Sequence, residues 1–242
     1  MQYEGKDILE LLQTKAKNYN NFLTGIVIKE ILKRTKKPKN LKIVDFGSGT
    51  GFFATAIAQK TASKIDCIEI SENLYPYYKN KPNLLLHRSL SEINDHSADI
   101  IYSFNVLEHI EDDISYIKLF QKKLKENGVL ILYLPAFMCL YSALDEKIGH
   151  YRRYNKKELI EKLGDDFQIK TLQYADSAGF FVTLLYKIIG NKDGKINPTA
   201  LYIFDRFIFP LGRLFDHLVL FGGGKLFGKN VLCIAINKKT NK

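Results

Sequence analysis

The chain has 242 residues and a mass of 27.8 kDa, enough for one well-buried α/β domain with a subdomain at most. Its apolar share of 46% and charged share of 26% are those of an ordinary soluble globular protein. The net charge of +10 is scattered, densest in "KEILKRTKKPKNLK" (29–42), not gathered with aromatics into a groove-lining stripe. A nucleic-acid partner is therefore not expected, and the lysines suit a solvated face or an anionic membrane surface.

Residues 6 to 35 carry Ile8, Leu11, Leu12, Ile26, Val27 and Ile31 at helical spacing, so one or two helices open the chain. Pro38 and Asn40 close that region. Strands and helices then alternate. "LKIVDF" predicts a strand and "GFFATAIAQK" a helix; "KIDCIEI" a strand and "SENLYPYYKN" a short helix weakened by Pro76. "NLLLH" and "ADIIYSF" are strands, and "DDISYIKLFQKKLKEN" is an amphipathic helix stopped at Asn127-Gly128. "GVLILYLPA", helix "NKKELIEKL", strand "FQIKTLQYA" and final strand "NVLCIAIN" complete the series. Such alternation implies right-handed crossovers and a mostly parallel sheet. The expected fold class is α/β: a Rossmann-like, seven-stranded, mostly parallel sheet with helices on both faces. An N-terminal helical segment (1–38) precedes the core (40–177 and 230–238), and a helical apolar insertion (178–229) precedes the last strand. All of residues 1–242 are read as a single domain.

Cys67, Cys139 and Cys233 are far apart, and no CxxC or Cys/His ligand spacing occurs. Neither zinc nor a disulfide framework is expected, and Cys67 and Cys233 read as small buried hydrophobes. No apolar leader run precedes residue 40, so a cytoplasmic location is expected.

The first strand runs into Gly47, Gly49 and Gly51, a GxGxG pattern. A dinucleotide fingerprint would place its third glycine at 52, which is Phe52. The following helix N-terminus suits one carboxylate. Asp45, at the strand end, would repel a pyrophosphate and attract an ammonium. A methionine moiety carries both groups. Glu69 ends the second strand, where a carboxylate can accept both hydroxyls of a ribose. Together these point to S-adenosylmethionine, bound at the switch point between the first and fourth strands.

With those residues in view, "VDFGSGTGFF", "CIEIS" and "NVLEHIEDD" resemble the nucleotide-binding motifs of class I S-adenosylmethionine-dependent methyltransferases, over about residues 40–175 and the last strand. The resemblance implies that Asp45, Gly47, Gly49 and Gly51 line the methionine part of the cofactor. It implies further that Glu69 takes the ribose hydroxyls, Ile70 packs on the adenine, and Ser89 and Leu90 lie at the adenine edge. Asn105 would close over the cofactor beside the reacting methyl. "HRSLSE" lacks the Asp that the family often carries near Ser89.

"LPAFMCLYSALDEKIGHYRRYNKKEL" resembles a subgroup of these enzymes with a "DE..GH.RRY" stretch after the fifth strand, several of them in cell-envelope or glycan-related pathways. Arg152, Arg153 and Tyr154 are candidate binders of an anionic substrate. The alternative is that the arginines anchor the next helix to acids such as Asp145 and Glu146. An oxygen acceptor needs its proton removed; His150 is the first candidate base and His109 the second, with a cofactor-pocket role the alternative for His109. No cluster of acids suggests a metal-dependent site, and no metal is expected.

In the insertion, Leu201, Phe204, Ile208, Leu211, Phe215 and Leu218 fall on one helical side, interrupted by charges, and Pro210 should break or kink the run. No part of it can span a bilayer. It could lie on a membrane through Phe204 and Phe207, cap a lipid-like substrate, form a dimer contact, or simply cap the core. The leading expectation is methyl transfer to an envelope-related, glycan or isoprenoid-like small molecule, anionic or lipid-linked, with peripheral membrane contact. The rivals are a soluble natural-product intermediate as acceptor, a non-catalytic S-adenosylmethionine-binding protein, and a nucleic-acid methyltransferase. The last lacks a "DPPY"-type motif where "SFNVLEH" stands.

Overall fold

The computed structural model describes residues 6–189, 196–218 and 226–238. Seven strands form one sheet in the order β3-β2-β1-β4-β5-β7-β6. They are β1 (Ile43–Phe46), β2 (Ile65–Ile68), β3 (Leu84–His87), β4 (Ala98–Phe104), β5 (Leu124–Pro135), β6 (Phe167–Ala175) and β7 (Asn230–Asn237). Only β7 runs against its neighbours, antiparallel to both β5 and β6. The chain reverses between β1 and β4, so the loops after these two strands diverge and leave a crevice at the carboxyl edge of the sheet.

Both faces of the sheet are apolar, as a sheet covered on two sides requires. Val44, Phe46, Ile101, Leu130 and Leu132 pack against Ile117 and Phe120 of α4 (Asp113–Lys123) and Leu159 and Leu163 of α6 (Lys156–Leu163). Their strand neighbours Ile43, Ile100, Tyr102, Ile131 and Tyr133 pack against α2 (Lys17–Arg34) and α3 (Phe52–Thr61) on the other side. Cys67 and Cys233 are buried apolar fillers, as their sequence context suggests.

One helix ends earlier than its sequence predicts. The Lys122 and Lys123 carbonyls accept from the backbone of His96 and Ser97, so α4 stops at Lys123. Leu124 then pairs with Ala98 as the start of β5, and Asn127 takes a positive φ of 60° within that strand. Asn127-Gly128 is thus a kink in the strand, not the helix stop.

The N-terminus folds as α1 (Lys6–Lys15) and α2. Ala16 gives α2 no side-chain cap; instead the buried carboxylate of Asp205 accepts from the Asn18 and Tyr19 N–H groups at 2.9 Å each. A negative charge there also suits the positive end of the helix. Asp205 belongs to the insertion, which folds as α7 (Ser177–Ile189), α8 (Pro198–Ile203), a widened π turn (Phe204–Ile208) and α9 (Phe209–Leu218). Pro210 does not break the helix. It lacks an N–H to donate to the preceding turn, and the widened turn falls immediately before it.

That turn also rotates the face. Asp205 and Phe209 point inward, Phe209 against Tyr19 and Phe22 with ring centroids 5.5 and 5.9 Å away. Leu211, predicted on the packed side, is 66% exposed, and Phe215 is exposed with it. The expected single apolar side is therefore split, and Leu218's side chain lies outside the described residues.

Candidate active site

The strand-to-helix turn after β1 is built for close approach. Gly47, Gly49 and Gly51 all have positive φ, and at Gly47 (74°) an added Cβ would overlap the side chain of Val106. Gly47 and Ser48 both donate to the Ile68 carbonyl at 3.0 Å, tying the turn to the end of β2. Glu69 sits just beyond, buried, its two oxygens accepting from the N–H groups of Gly49 and Ser71 at 2.8 Å. The Ser71 hydroxyl and the Ile70 N–H bond the same carboxylate. Ile70 beside it is 57% exposed, an apolar side chain left open next to a buried carboxylate.

Asp45 is buried at the end of β1, and its Oδ2 has no hydrogen-bond partner among the described residues. Burial pushes its carboxyl up to about 8; the nearby Tyr102 hydroxyl pulls it down and the Glu69 charge raises it further. Such an orphaned acid is what a ligand ammonium would satisfy. Helix α1 lies across this turn: Gln13 Nε2 donates to Thr50 Oγ1 at 2.7 Å, and Tyr77 bonds Glu10.

Asn105, at the end of β4, takes a left-handed conformation (φ 52°), its N–H held by the Tyr133 carbonyl and its Oδ1 by Asn230. After β3, Ser89 caps a short turn and accepts from Ser91 N–H, whereas Leu90 is sunk in the core. Leu90's side chain is therefore not open to a ligand, and only its backbone borders that edge.

The loop after β5, which holds α5 (Ala143–Lys147), brings His150 against His109, with ring centroids 4.6 Å apart. His150 Nδ1 is 2.8 Å from Asp145 Oδ1. Asp145 is gripped by Arg153 through two 2.9 Å bonds and by Ser142. Burial opposes ionisation of Asp145, but His150 and Arg153 outweigh it and hold the carboxyl well below its usual range. Burial also lowers His109 to about 4, helped by the His150 charge.

The arginine pair makes the contacts of the anchoring alternative. Arg153 is buried on Asp145; Arg152 reaches Asp113 at 3.0 Å and the Glu111 carbonyl; Tyr154 is fully buried and donates to Asp113 at 2.8 Å. Arg152 and Tyr154 tie the loop to α4 through Asp113, while Arg153 braces the loop internally on Asp145. Asp113, the acid that takes two of them and Lys162 as well, was not foreseen.

A cavity of about 780 Å³ lies between the loop around α5 and helices α7 and α8. Its wall is mainly apolar, with Val182, Leu201, Phe204 and Ile208, and carries Arg153 and Lys229 on the side of the sheet. Leu12 of α1 lines it too, next to the Gln13 that grips the glycine turn. Cavity and glycine turn thus share α1 as a common wall.

The model of a family described as a methyltransferase domain matches residues 19–173, well over half of the chain. A search of curated proteins finds no match. Among solved structures, a chain from the complex with the Haloferax volcanii Trm112 methyltransferase activator is 12% identical. It has a TM-score of 0.60 over 99% of this chain and 100% of that one. Haemonchus contortus phosphoethanolamine N-methyltransferase 2, in complex with S-adenosyl-L-methionine, is 16% identical with a TM-score of 0.53, over 88% of this chain and 52% of that one. A Mesorhizobium loti S-adenosylmethionine-dependent methyltransferase is 15% identical with a TM-score of 0.53, over 86% and 96%. At such identities the likeness is one of fold. The glycine turn, the buried Asp45 with its orphaned oxygen and the buried Glu69 carboxylate are compatible with S-adenosylmethionine, and the matched family model makes this chain a class I S-adenosylmethionine-dependent methyltransferase.

Proposed function

We propose that this methyltransferase acts on an anionic, lipid-like acceptor met at a membrane surface. The observation that carries this is the cavity: apolar over most of its wall, with the basic side chains of Arg153 and Lys229 toward the sheet, and bordered by exposed apolar side chains. Tyr186, Ile203 and Ile208 line it and are themselves exposed, and Phe207 and Leu211 continue the apolar surface outward. Phe207, 58% exposed, is the aromatic placed to insert; Phe204, the other expected one, turns into the cavity. Among the described residues no helix is long and apolar enough to cross a membrane, so contact would be peripheral.

In this reading Asp45 and the turn at Gly47, Gly49 and Gly51 would hold the methionine part of the cofactor. Glu69 would hold the ribose, and Ile70 and the backbone at Ser89 and Leu90 the adenine. When bound, the cofactor supplies an electrophilic methyl on a sulfonium. The chain's own contribution is alignment. Asn105 and the His109–His150 pair stand at the β4 end, on the acceptor side.

The test uses tritiated S-adenosylmethionine with separated membrane and soluble fractions of cells. Label should enter an organic-extractable, acidic lipid. Anionic vesicles should co-sediment the protein at low salt, less at high salt and less after Phe207→Glu. Label confined to water-soluble products, with the protein left in the supernatant by every vesicle, would overturn the reading in favour of a soluble acceptor.

Asp45 gives a separate pH prediction. The native chain keeps its proton up to about pH 8, whereas the unfolded chain loses it near 3.8. Between those values the native state binds more protons, so cofactor-free stability attributable to Asp45 falls as pH rises. Asp45→Asn should therefore melt progressively higher than wild type as pH goes from about 5 to about 8. Cofactor binding near neutrality should release a proton, read by calorimetry in buffers of different ionisation enthalpy. A melting difference that does not change with pH would remove Asp45 from that role.

A further inference from the structure

Glu108, His109 and His150 each present one ligand atom, all within 4.8 Å of one another. Sequence spacing hid this set, because His150 arrives from a loop 41 positions after His109 and only folding joins them. Glu108 is 0% exposed, and neither carboxylate oxygen has a hydrogen-bond partner among the described residues. A carboxyl at that depth either keeps its proton or meets a cation.

His150 Nε2 is 3.7 Å from Glu108 Oε1, close but beyond hydrogen-bond reach. The rest of His150 is arranged as a metal-ligating histidine usually is. Its Nδ1 faces Asp145 at 2.8 Å, and Arg153 fixes Asp145 in turn, so Nε2 is the ring nitrogen left on the Glu108 side. The His109 ring hydrogen-bonds the backbone of Ile148 and Gly149, a second outer support of the same kind.

We infer that Glu108, His109 and His150 bind a divalent transition-metal ion on the acceptor side of the site. Ligand atoms about 2.1 Å from one ion lie at most about 4.2 Å apart. The Glu108–His150 spacing already fits, and the widest possible pair needs less than about 1 Å of side-chain adjustment. Two imidazoles and one carboxylate favour the zinc, cobalt or manganese class over magnesium, which prefers oxygen alone. Three protein ligands leave coordination positions for water or for acceptor oxygens. An oxygen-bearing anionic group would be drawn there.

The test reads metal binding alone, so it stands or falls apart from the lipid-acceptor reading. Metal-stripped protein is titrated with Co²⁺ and followed by visible absorption. Wild type should saturate at one equivalent with roughly micromolar affinity or better. Glu108→Gln and His150→Gln should each weaken binding at least about a hundredfold, and Asp145→Asn by about ten- to a hundredfold. Replacing His87 and His96 by alanine should change nothing. Because Glu108 has no partner to lose, metal-free Glu108→Gln should melt no lower than wild type; should it fail to fold, His150→Gln carries the same reading. No saturable binding to wild type, or wild-type binding by both glutamine variants, overturns the site. A lower melting point in Glu108→Gln with Co²⁺ binding intact would mean a buried Glu108–His150 ion pair instead.

Discussion

Glu69→Ala should weaken S-adenosylmethionine binding by roughly 1.5–3 kcal/mol, about ten- to a hundred-and-fiftyfold, as expected when a charged hydrogen-bond acceptor is lost. The carboxylate closes β2 and accepts from the Gly49 and Ser71 N–H groups. Removing it would take away the proposed ribose contact and the Gly49 tether together. Burial raises the Glu69 carboxyl while the backbone N–H groups pull it down, so the side chain is held in place at some cost to its charge. Glu69→Gln, with one acceptor oxygen kept, should fall between wild type and alanine. Calorimetry checks all three, with a thermal melt of the cofactor-free proteins to measure the tether. Unchanged affinity in Glu69→Ala would show that the ribose is held elsewhere.

The order of elements was legible because this sheet is buried on both sides. Runs such as "VLILYLP" and "VLCIAIN" have no polar interruption, and Gly, Asn and Pro punctuate the gaps between them. Where the reading slipped, a long-range contact decided. α4 loses its predicted last turn because the β4 lead-in takes its carbonyls, which no local signal announces. The insertion's face rotates because a π turn intervenes before Pro210 and because Asp205 is pulled inward to cap α2, 187 residues away in sequence. Helical spacing assumes one unbroken period and has no means of finding either.

The candidate cofactor residues share one edge for a related reason: Asp45, Glu69 and Asn105 lie at successive strand ends, which strand assignment alone lines up. The acceptor side was not legible in that way, since its residues meet across loops. In "DEKIGHYRRY", Asp145, His150 and Arg153 are five and three positions apart, yet they form one hydrogen-bonded chain. Of the two roles open to the arginines, the contacts match anchoring: Arg153 pairs with Asp145, the acid its sequence neighbourhood suggests, and Arg152 with Asp113, which no local signal singles out. Pairing within the chain is the commoner fate of a buried arginine, and only the fold shows which acid it finds.

His150→Ala should lower turnover about a hundredfold or more while cofactor affinity stays near wild type. The ring is nearly buried, fixed on one side by Asp145 and packed edge-on to His109. In the proposed function it acts on the acceptor and not on the adenosine. The loss is expected whether the ring takes a proton from the acceptor or ligates an ion that orients it. The Asp145–Arg153 pair survives the substitution, so the loop keeps its anchor and the melting point should move little. Asp145→Asn supplies the second measurement: the ring would remain but lose the carboxylate that orients it, and turnover should fall less than in His150→Ala. Single-turnover rates at saturating cofactor, beside calorimetric affinities, separate these effects. If cofactor affinity and turnover collapse together in His150→Ala, the loop shapes the cofactor pocket and His150 has no acceptor-side role.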